Sequence, residues 1–201
     1  STLGAITMLK APVTSYGTGS GANIYGENNT LLGKALAPIA TTAYGNTIVG
    51  DTQCAALSTG YENVVIGAAT PVLNTGYQNV VIGKGSGAAL TTSQYNVLIG
   101  YEAGADNSTI LNGIVAIGYS AARHSTGAQI TAIGQSAGGA NTTGHRWTAI
   151  GDGASSTVTA SDWTAVGSAA TTGAQGISMG SYAGYNTTGA GNISIGYNAG
   201  R

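Results

Sequence analysis

The residues able to do chemistry in this chain are few and scattered. Its seven carboxylates are Glu27, Asp51, Glu62, Glu102, Asp106, Asp152 and Asp162, and none recurs as a pair at a fixed interval. Hydrolysis of a glycosidic bond needs two carboxyls held about 5–5.5 Å or about 6.5–9.5 Å apart. Glu102 with Asp106, or a pair contributed by neighbouring segments, is the arrangement left open for such work, and no catalytic residue is assigned. Metal binding needs clustered His, Cys or carboxylates; these do not appear, and neither a metal nor another cofactor is expected. The run "GTGSG" at 17–21 is followed by neither a Walker lysine nor a dinucleotide-binding pattern. Cys54 stands alone, which excludes an intrachain disulfide and reads as a small buried thiol.

Binding chemistry is better represented. Tyr44, Tyr61, Tyr77 and Tyr95 fall five or six residues before a recurring glycine, with His145 in the equivalent place later. They read as an aromatic ladder with polar tips, or as a strip of rigid contact area for glycans. Tyr101, Tyr119 and Tyr197, each just after such a glycine, form a weaker second set. Trp147 and Trp163 occupy one position in neighbouring repeats; their indoles should stack, either filling space or offering a sugar platform on an outer corner. Arg123, His124, His145 and Arg146 gather at matching corners, a solvated cluster or one that meets acidic sugars.

What positions these residues is a repeat. The glycines at 33, 50, 67, 83, 100, 118, 134, 151, 167, 180 and 196 are separated by 17, 17, 16, 17, 18, 16, 17, 16, 13 and 16 residues. The residue before each is aliphatic or Met, from Leu32 to Ile195, and the residue three before each is β-branched, from Thr30 to Ile193. Such a phrase is a short β-strand, closed by a glycine turn, a small-residue segment and a Thr-Gly corner. A fixed period of this kind predicts an all-β fold, a repetitive β-solenoid (β-roll or β-helix) of about eleven coils of 16–17 residues over 29–201. At about 4.8 Å per coil it is a rod of roughly 50 Å. Residues 1–28 read as a connector, at Lys10-Ala11-Pro12, or a degenerate first coil. Asn29, Asn46, Asn63, Asn79, Asn96 and Asn192, just ahead of the phrase, read as an amide ladder along the coils.

The middle residue of the phrase is also apolar: Leu31, Ile48, Val65, Val81 and Leu98, then Ala116, Ala132, Ala149 and Ala165, then Ser178 and Ser194. A strand apolar on both faces is buried on both. The expectation is that the two flanking columns point into the coil and the middle column, through Ala165, meets a partner chain whose backbone approaches more closely toward the C-terminal end. Self-association is the expectation that follows, with a homotrimer as the state proposed.

Composition sets limits. Charged residues are 6% of the chain and the formal net charge is −1, so the basic patch that phosphate contacts require is missing and nucleic acid is not an expected partner. No apolar run of about eighteen residues is present, and no membrane insertion is expected. With 42% hydrophobic residues the chain has the hydropathy to fold.

The phrases "NVVIGKGSG", "NVLIGYEAG" and "MGSYAGYNTTGAGNISIGYNAG" resemble the repeats of tail-fibre and receptor-binding proteins of tailed bacteriophages and, more loosely, the shorter head repeats of trimeric autotransporter adhesins. The resemblance implies a parallel homotrimeric fibre of the virion, extracellular, attaching to a host polysaccharide or lipopolysaccharide. It also implies a trimer-enforcing chaperone domain whose removal would fit a cut after Arg201. A non-enzymatic adhesive segment is the leading expectation, with a tailspike-type polysaccharide depolymerase or an adhesin head as alternatives. An ice-binding solenoid is set aside because the Thr column is interrupted and is taken to point into the coil.

Overall fold

The computed structural model describes residues 14–16 (backbone only), 26–34, 42–51, 58–68, 75–106, 112–139, 141, 143–155, 160–172, 175–185 and 189–200. Cys54, the Lys10-Ala11-Pro12 segment and the 17–21 glycine run lie outside the described residues. The described chain is all β, a parallel solenoid without helix. Its strands are β1 (Thr14–Tyr16), β2 (Thr30–Lys34), β3 (Thr47–Asp51), β4 (Val64–Ala68), β5 (Val80–Ile82), β6 (Val97–Ile99), β7 (Ile114–Ile117), β8 (Ile130–Ile133), β9 (Trp147–Ile150), β10 (Thr164–Val166), β11 (Ile177–Met179) and β12 (Ile193–Ile195). They form one sheet in chain order.

Register follows the repeated phrase. Thr30 pairs with Thr47 and Thr47 with Val64, while Gly33 pairs with Gly50 and Gly50 with Gly67. The short interval between Gly167 and Gly180 keeps this alignment, with Thr164 opposite Ile177 and Val166 opposite Met179. Ahead of the marker glycines, β1 pairs with β2 through Thr14 and Thr30.

At the marker glycines the backbones of neighbouring coils come close. Gly118 has φ 137°, and a Cβ there would lie 2.5 Å from the carbonyl oxygen of Gly134 in the next coil. Any other residue would push the coils apart. Beyond the glycine a second backbone ladder begins: Glu102 N donates to Lys84 O, Ser120 N to Tyr101 O and Ser136 N to Tyr119 O. Two residues on, the direction reverses, with Gly104 N donating to Ala121 O and Ala122 N to Ala137 O.

The interior overturns the sequence expectation about faces. Leu31, Ile48, Val65, Val81, Leu98, Ala116, Ala132, Ala149 and Ala165 are at most 1% exposed within the single chain. They fill the coil and are not available to a partner. The flanking columns, from Thr30 and Leu32 to Ile193 and Ile195, point outward and are half-buried or exposed. The reason is parity: the residue four before each glycine shares a face with the middle residue, and that position holds the buried Asn ladder.

The large-to-small change in the middle column is internal compensation rather than closer approach of a partner. Where Leu98 gives way to Ala116, the neighbouring buried column changes from Asn96 to Ile114, then Ile130, Trp147 and Trp163. Bulk moves between two columns of one strand face. A third interior column stays small, with Ser86, Ala103, Ala121, Ala137, Ala154, Ala170 and Ala183 all buried, so the coil remains thin and densely packed.

Candidate functional site

The tryptophans are core. Trp147 and Trp163 stack with ring centroids 4.9 Å apart and an interplanar angle of 9°, but they are only 1% and 2% exposed. Each indole N–H donates inward, Trp147 Nε1 to Gly144 O at 3.0 Å and Trp163 Nε1 to Ala160 O at 2.9 Å. The Trp147 ring lies over Gly138, where a Cβ would collide with it. A sugar platform is thereby excluded at this pair, and the expectation of an outer corner is corrected.

The Asn ladder is likewise structural. Asn46 Nδ2 donates to Asn29 Oδ1 at 2.9 Å and Asn63 Nδ2 to Asn46 Oδ1 at 3.0 Å. Asn79 and Asn96 continue the pattern at 3.0 and 2.9 Å. The last amide oxygen, on Asn96, accepts from Ile114 N at 3.0 Å, which closes the ladder at the coil where Ile replaces Asn.

The tyrosines do face outward. Tyr44, Tyr61 and Tyr77 stack at 4.9 and 4.6 Å with interplanar angles of 6° and 5°, and their backbones form parallel bridges from coil to coil. In the next coil the bridging residue is Gln94. Tyr95, one position on, turns its ring edge-on at 5.4 Å and 86°. Burial among the rings, with repulsion from a neighbouring Tyr44 phenolate, holds the Tyr61 hydroxyl above its usual range. A hydrogen bond with Tyr95 does the same for Tyr77.

The basic corners are neutralised by the chain itself. Arg146 forms a two-point pair with Asp162, Nε to Oδ1 at 2.6 Å and a second terminal nitrogen to Oδ2 at 2.9 Å, and this holds the Asp162 carboxyl below its ordinary value. His145 Nδ1 accepts from Ala128 N at 2.9 Å. Arg123 reaches Glu102 Oε2 at 2.8 Å and Asp106 Oδ2 at 2.9 Å, and His124 Nδ1 lies 2.9 Å from the same Asp106 oxygen. The four residues therefore make two separate clusters, not one, and neither leaves a surplus cationic surface for acidic sugars.

Around Arg123 lies a feature the sequence did not announce. A pocket of about 270 Å³ is lined by Lys84, Gly85, Ala88, Tyr101, Glu102, Ala105, Asp106 and Arg123. Four of the thirteen charged side chains (6 Lys and Arg plus 7 Asp and Glu) meet there. Tyr101 stacks on Tyr119 at 5.2 Å and 8°, and its hydrogen bond to Glu102 raises the Tyr101 hydroxyl above its usual range. Spacing hinted at the tyrosine pair and at Glu102 with Asp106, but Lys84 and Gly85 come from the preceding coil, and only the register brings them in. Among the described residues no group of three His, Cys, Asp or Glu is gathered to hold a metal ion.

The second missed feature is the outward face of the sheet. Its two columns run side by side over β2–β12, one wholly aliphatic or Met, the other Val, Ile and Thr. Leu32 is 46% exposed, Met179 44% and Ile193 69%. Comparison with protein-family models, curated protein sequences and solved structures gives no match.

Proposed function

We propose that the chain is a shaft segment of a homotrimeric, extracellular fibre of the tail-fibre kind, which attaches a virion to polysaccharide or lipopolysaccharide on a host cell without cleaving it. The observation that carries the reading is the outward apolar face of the sheet. A continuous exposed apolar surface of this length is uncommon on a monomer and marks an interaction site. Its side chains recur once per coil along the whole rod, so the surface that matches it in length and pitch is the same face of another copy. Closed homo-oligomers use one patch on every subunit in this way. The number three comes from the resemblance of the repeat phrases. With that face occupied, the tyrosine corners remain outside, and repetition along three chains multiplies weak glycan contacts.

Sedimentation equilibrium of the purified protein, followed by binding to envelope polysaccharide, tests the reading: a trimer mass and retained polysaccharide support it, and a stable folded monomer overturns it. Two features favour other readings. Glu102 and Asp106 share one pocket, which a depolymerase would need. Both, however, accept from the guanidinium of Arg123, an arrangement suited to fixed acceptors rather than to a carboxyl that gives up a proton. Steady release of reducing ends from the polysaccharide would decide for the enzyme. The outward Thr column removes one of the two reasons given above against an ice-binding face, its direction, and leaves the other, its interruption. Over β2–β12 Thr stands there at 30, 47, 131, 148 and 164, beside an aliphatic or Met column, and thermal hysteresis would decide for it.

A further inference from the structure

We infer that the pocket beside Tyr101 is a binding site for a single uncharged pyranose residue, whose ring takes the next step of the Tyr101–Tyr119 stack. The inference rests on the glycan-attachment reading and names where, and to what class of sugar, attachment occurs.

The position after each marker glycine forms a column along the rod: Lys84, Tyr101 and Tyr119 in successive coils. Tyr119 covers one face of the Tyr101 ring at 5.2 Å. The pocket takes in Lys84, Gly85 and Ala88 of the preceding coil and, from the coil of Tyr119, Arg123 but not Tyr119 itself, which points to the face of the Tyr101 ring that Tyr119 leaves uncovered. A third aromatic ring would stand there if the column continued. Lys84 stands there instead, and Gly85 and Ala88 leave the floor open. Tyr101 is 41% exposed, so its ring keeps a flat apolar surface on the side where Lys84 replaces a third ring.

A pyranose ring suits that step. Its C–H face is apolar and packs on an aromatic ring, while its edge carries hydroxyls that donate and accept. Around the step are Glu102, Asp106, Arg123 and Lys84. Arg123 Nε and His124 Nδ1 both address Asp106 Oδ2, which leaves Asp106 Oδ1 as an acceptor for a ligand hydroxyl. The Tyr101 hydroxyl and Arg123 between them orient Glu102. Acceptors fixed before the ligand arrives cost little reorganisation on binding. A volume of about 270 Å³ lies just below the roughly 300–1,000 Å³ of ordinary small-molecule sites, enough for one sugar unit and not for a chain.

Charge selects the class. Lys84 and Arg123 balance Glu102 and Asp106, so the lining is formally neutral, and a ligand carboxylate would have to displace a chain carboxylate from Arg123. An acidic sugar would find Lys84 as its remaining cationic partner but would face both the Glu102 and Asp106 carboxylates, and is disfavoured by that repulsion. This differs from the acidic-sugar expectation drawn from Arg123 and His124 in the sequence, because their carboxylate partners were not visible there.

Saturation-transfer NMR on the intact protein, with methyl glucoside, methyl galactoside, methyl mannoside and glucuronic acid as probes, tests the site. At least one neutral glycoside should receive saturation on its C–H face, glucuronic acid should not, and Tyr101→Ala or Asp106→Asn should weaken that binding about tenfold with unchanged circular dichroism. Lys34→Ala, an exposed residue three coils away from Lys84, should leave it intact. No transfer to any neutral glycoside, equal binding by both pocket variants, or preference for glucuronic acid overturns the inference. Retention of whole envelope polysaccharide by the same proteins separates the two levels. Wild-type and Tyr101→Ala proteins that bind it equally would sink this pocket and spare the attachment reading, whereas a wild-type protein that binds neither glycoside nor polysaccharide would sink both.

Discussion

At the scale of single residues, polar and aromatic side chains that resemble recognition groups divide by where their hydrogen bonds go. Trp147 and Trp163 donate inward to Gly144 O and Ala160 O, so truncation opens a cavity and orphans a carbonyl. Trp147→Ala should lower stability by about 3–5 kcal/mol, read from chemical denaturation, and should not affect glycan binding by the fraction that stays folded. Asn63 is held from both sides: its Nδ2 donates to Asn46 Oδ1 and Gly76 O, and its Oδ1 accepts from Asn79 N and Nδ2. Asn63→Ala strands several buried groups at about 1–3 kcal/mol each, and denaturation should show a larger loss than for Asn192→Ala, whose amide is exposed. Asp162 carries a pH dependence. Its folded pKa lies below the ordinary aspartate value of 3.8 because Arg146 hydrogen-bonds the ionised form, so the pair's contribution is present above that value and is lost as pH falls through the lower folded one. Asp162→Asn should leave stability in strong acid unchanged and lower it at neutral pH by the small amount expected for an exposed pair, which flattens the acid limb of the stability profile.

At the scale of the element, each strand shows what its sequence reveals and what it conceals. Period, strand position and register were legible, since Thr30, Thr47 and Val64 align in space as they do in the repeated phrase. Which face points inward was not read correctly, because a strand apolar at three successive positions satisfies either choice. The deciding signal was present one residue earlier: an Asn ladder belongs inside, and Asn63 shares its face with Val65. The pocket was concealed for a different reason, since it needs Lys84 and Arg123 on separate coils and period alone does not say which loop side chains converge. Compensation between columns gives a test at this scale. Ile114 and Ala116 are both fully buried on one face of β7, whereas the preceding strand pairs Asn96 with Leu98. Ala116→Leu alone overpacks the coil, by about 1–3 kcal/mol, and Ile114→Asn alone leaves a void. The double variant restores the Asn-plus-Leu arrangement, so denaturation midpoints should show it less destabilised than the sum of the two singles. Additive losses would mean that the columns do not share space.

At the scale of the molecule, the question is what covers the sheet. A thin coil encloses little, and alanine and serine in the middle column from Ala116 onward contribute less apolar burial than leucine or valine. The outward columns hold the larger aliphatic groups, Ile82, Ile99, Ile117 and Ile133 among them, left half-buried by their own chain. Burying these against other copies would add about 25 cal/mol for each Å² of apolar surface removed from water. Two substitutions on adjacent residues of β5 separate folding from assembly. Val81 is fully buried in the coil, so Val81→Asp places an unpaired carboxylate in the core and should abolish the strand signal in circular dichroism. Ile82 points the other way, so Ile82→Asp should leave that signal intact while placing a charge from each copy at the shared face. Analytical ultracentrifugation should then show a trimer for the wild-type protein and a folded monomer for Ile82→Asp. An Ile82→Asp variant that sediments as the wild-type oligomer would mean that the copies meet elsewhere. Retention of polysaccharide by the Ile82→Asp monomer should fall by more than the loss of any one contact explains, because each chain would keep its sites while the avidity of three joined chains disappeared.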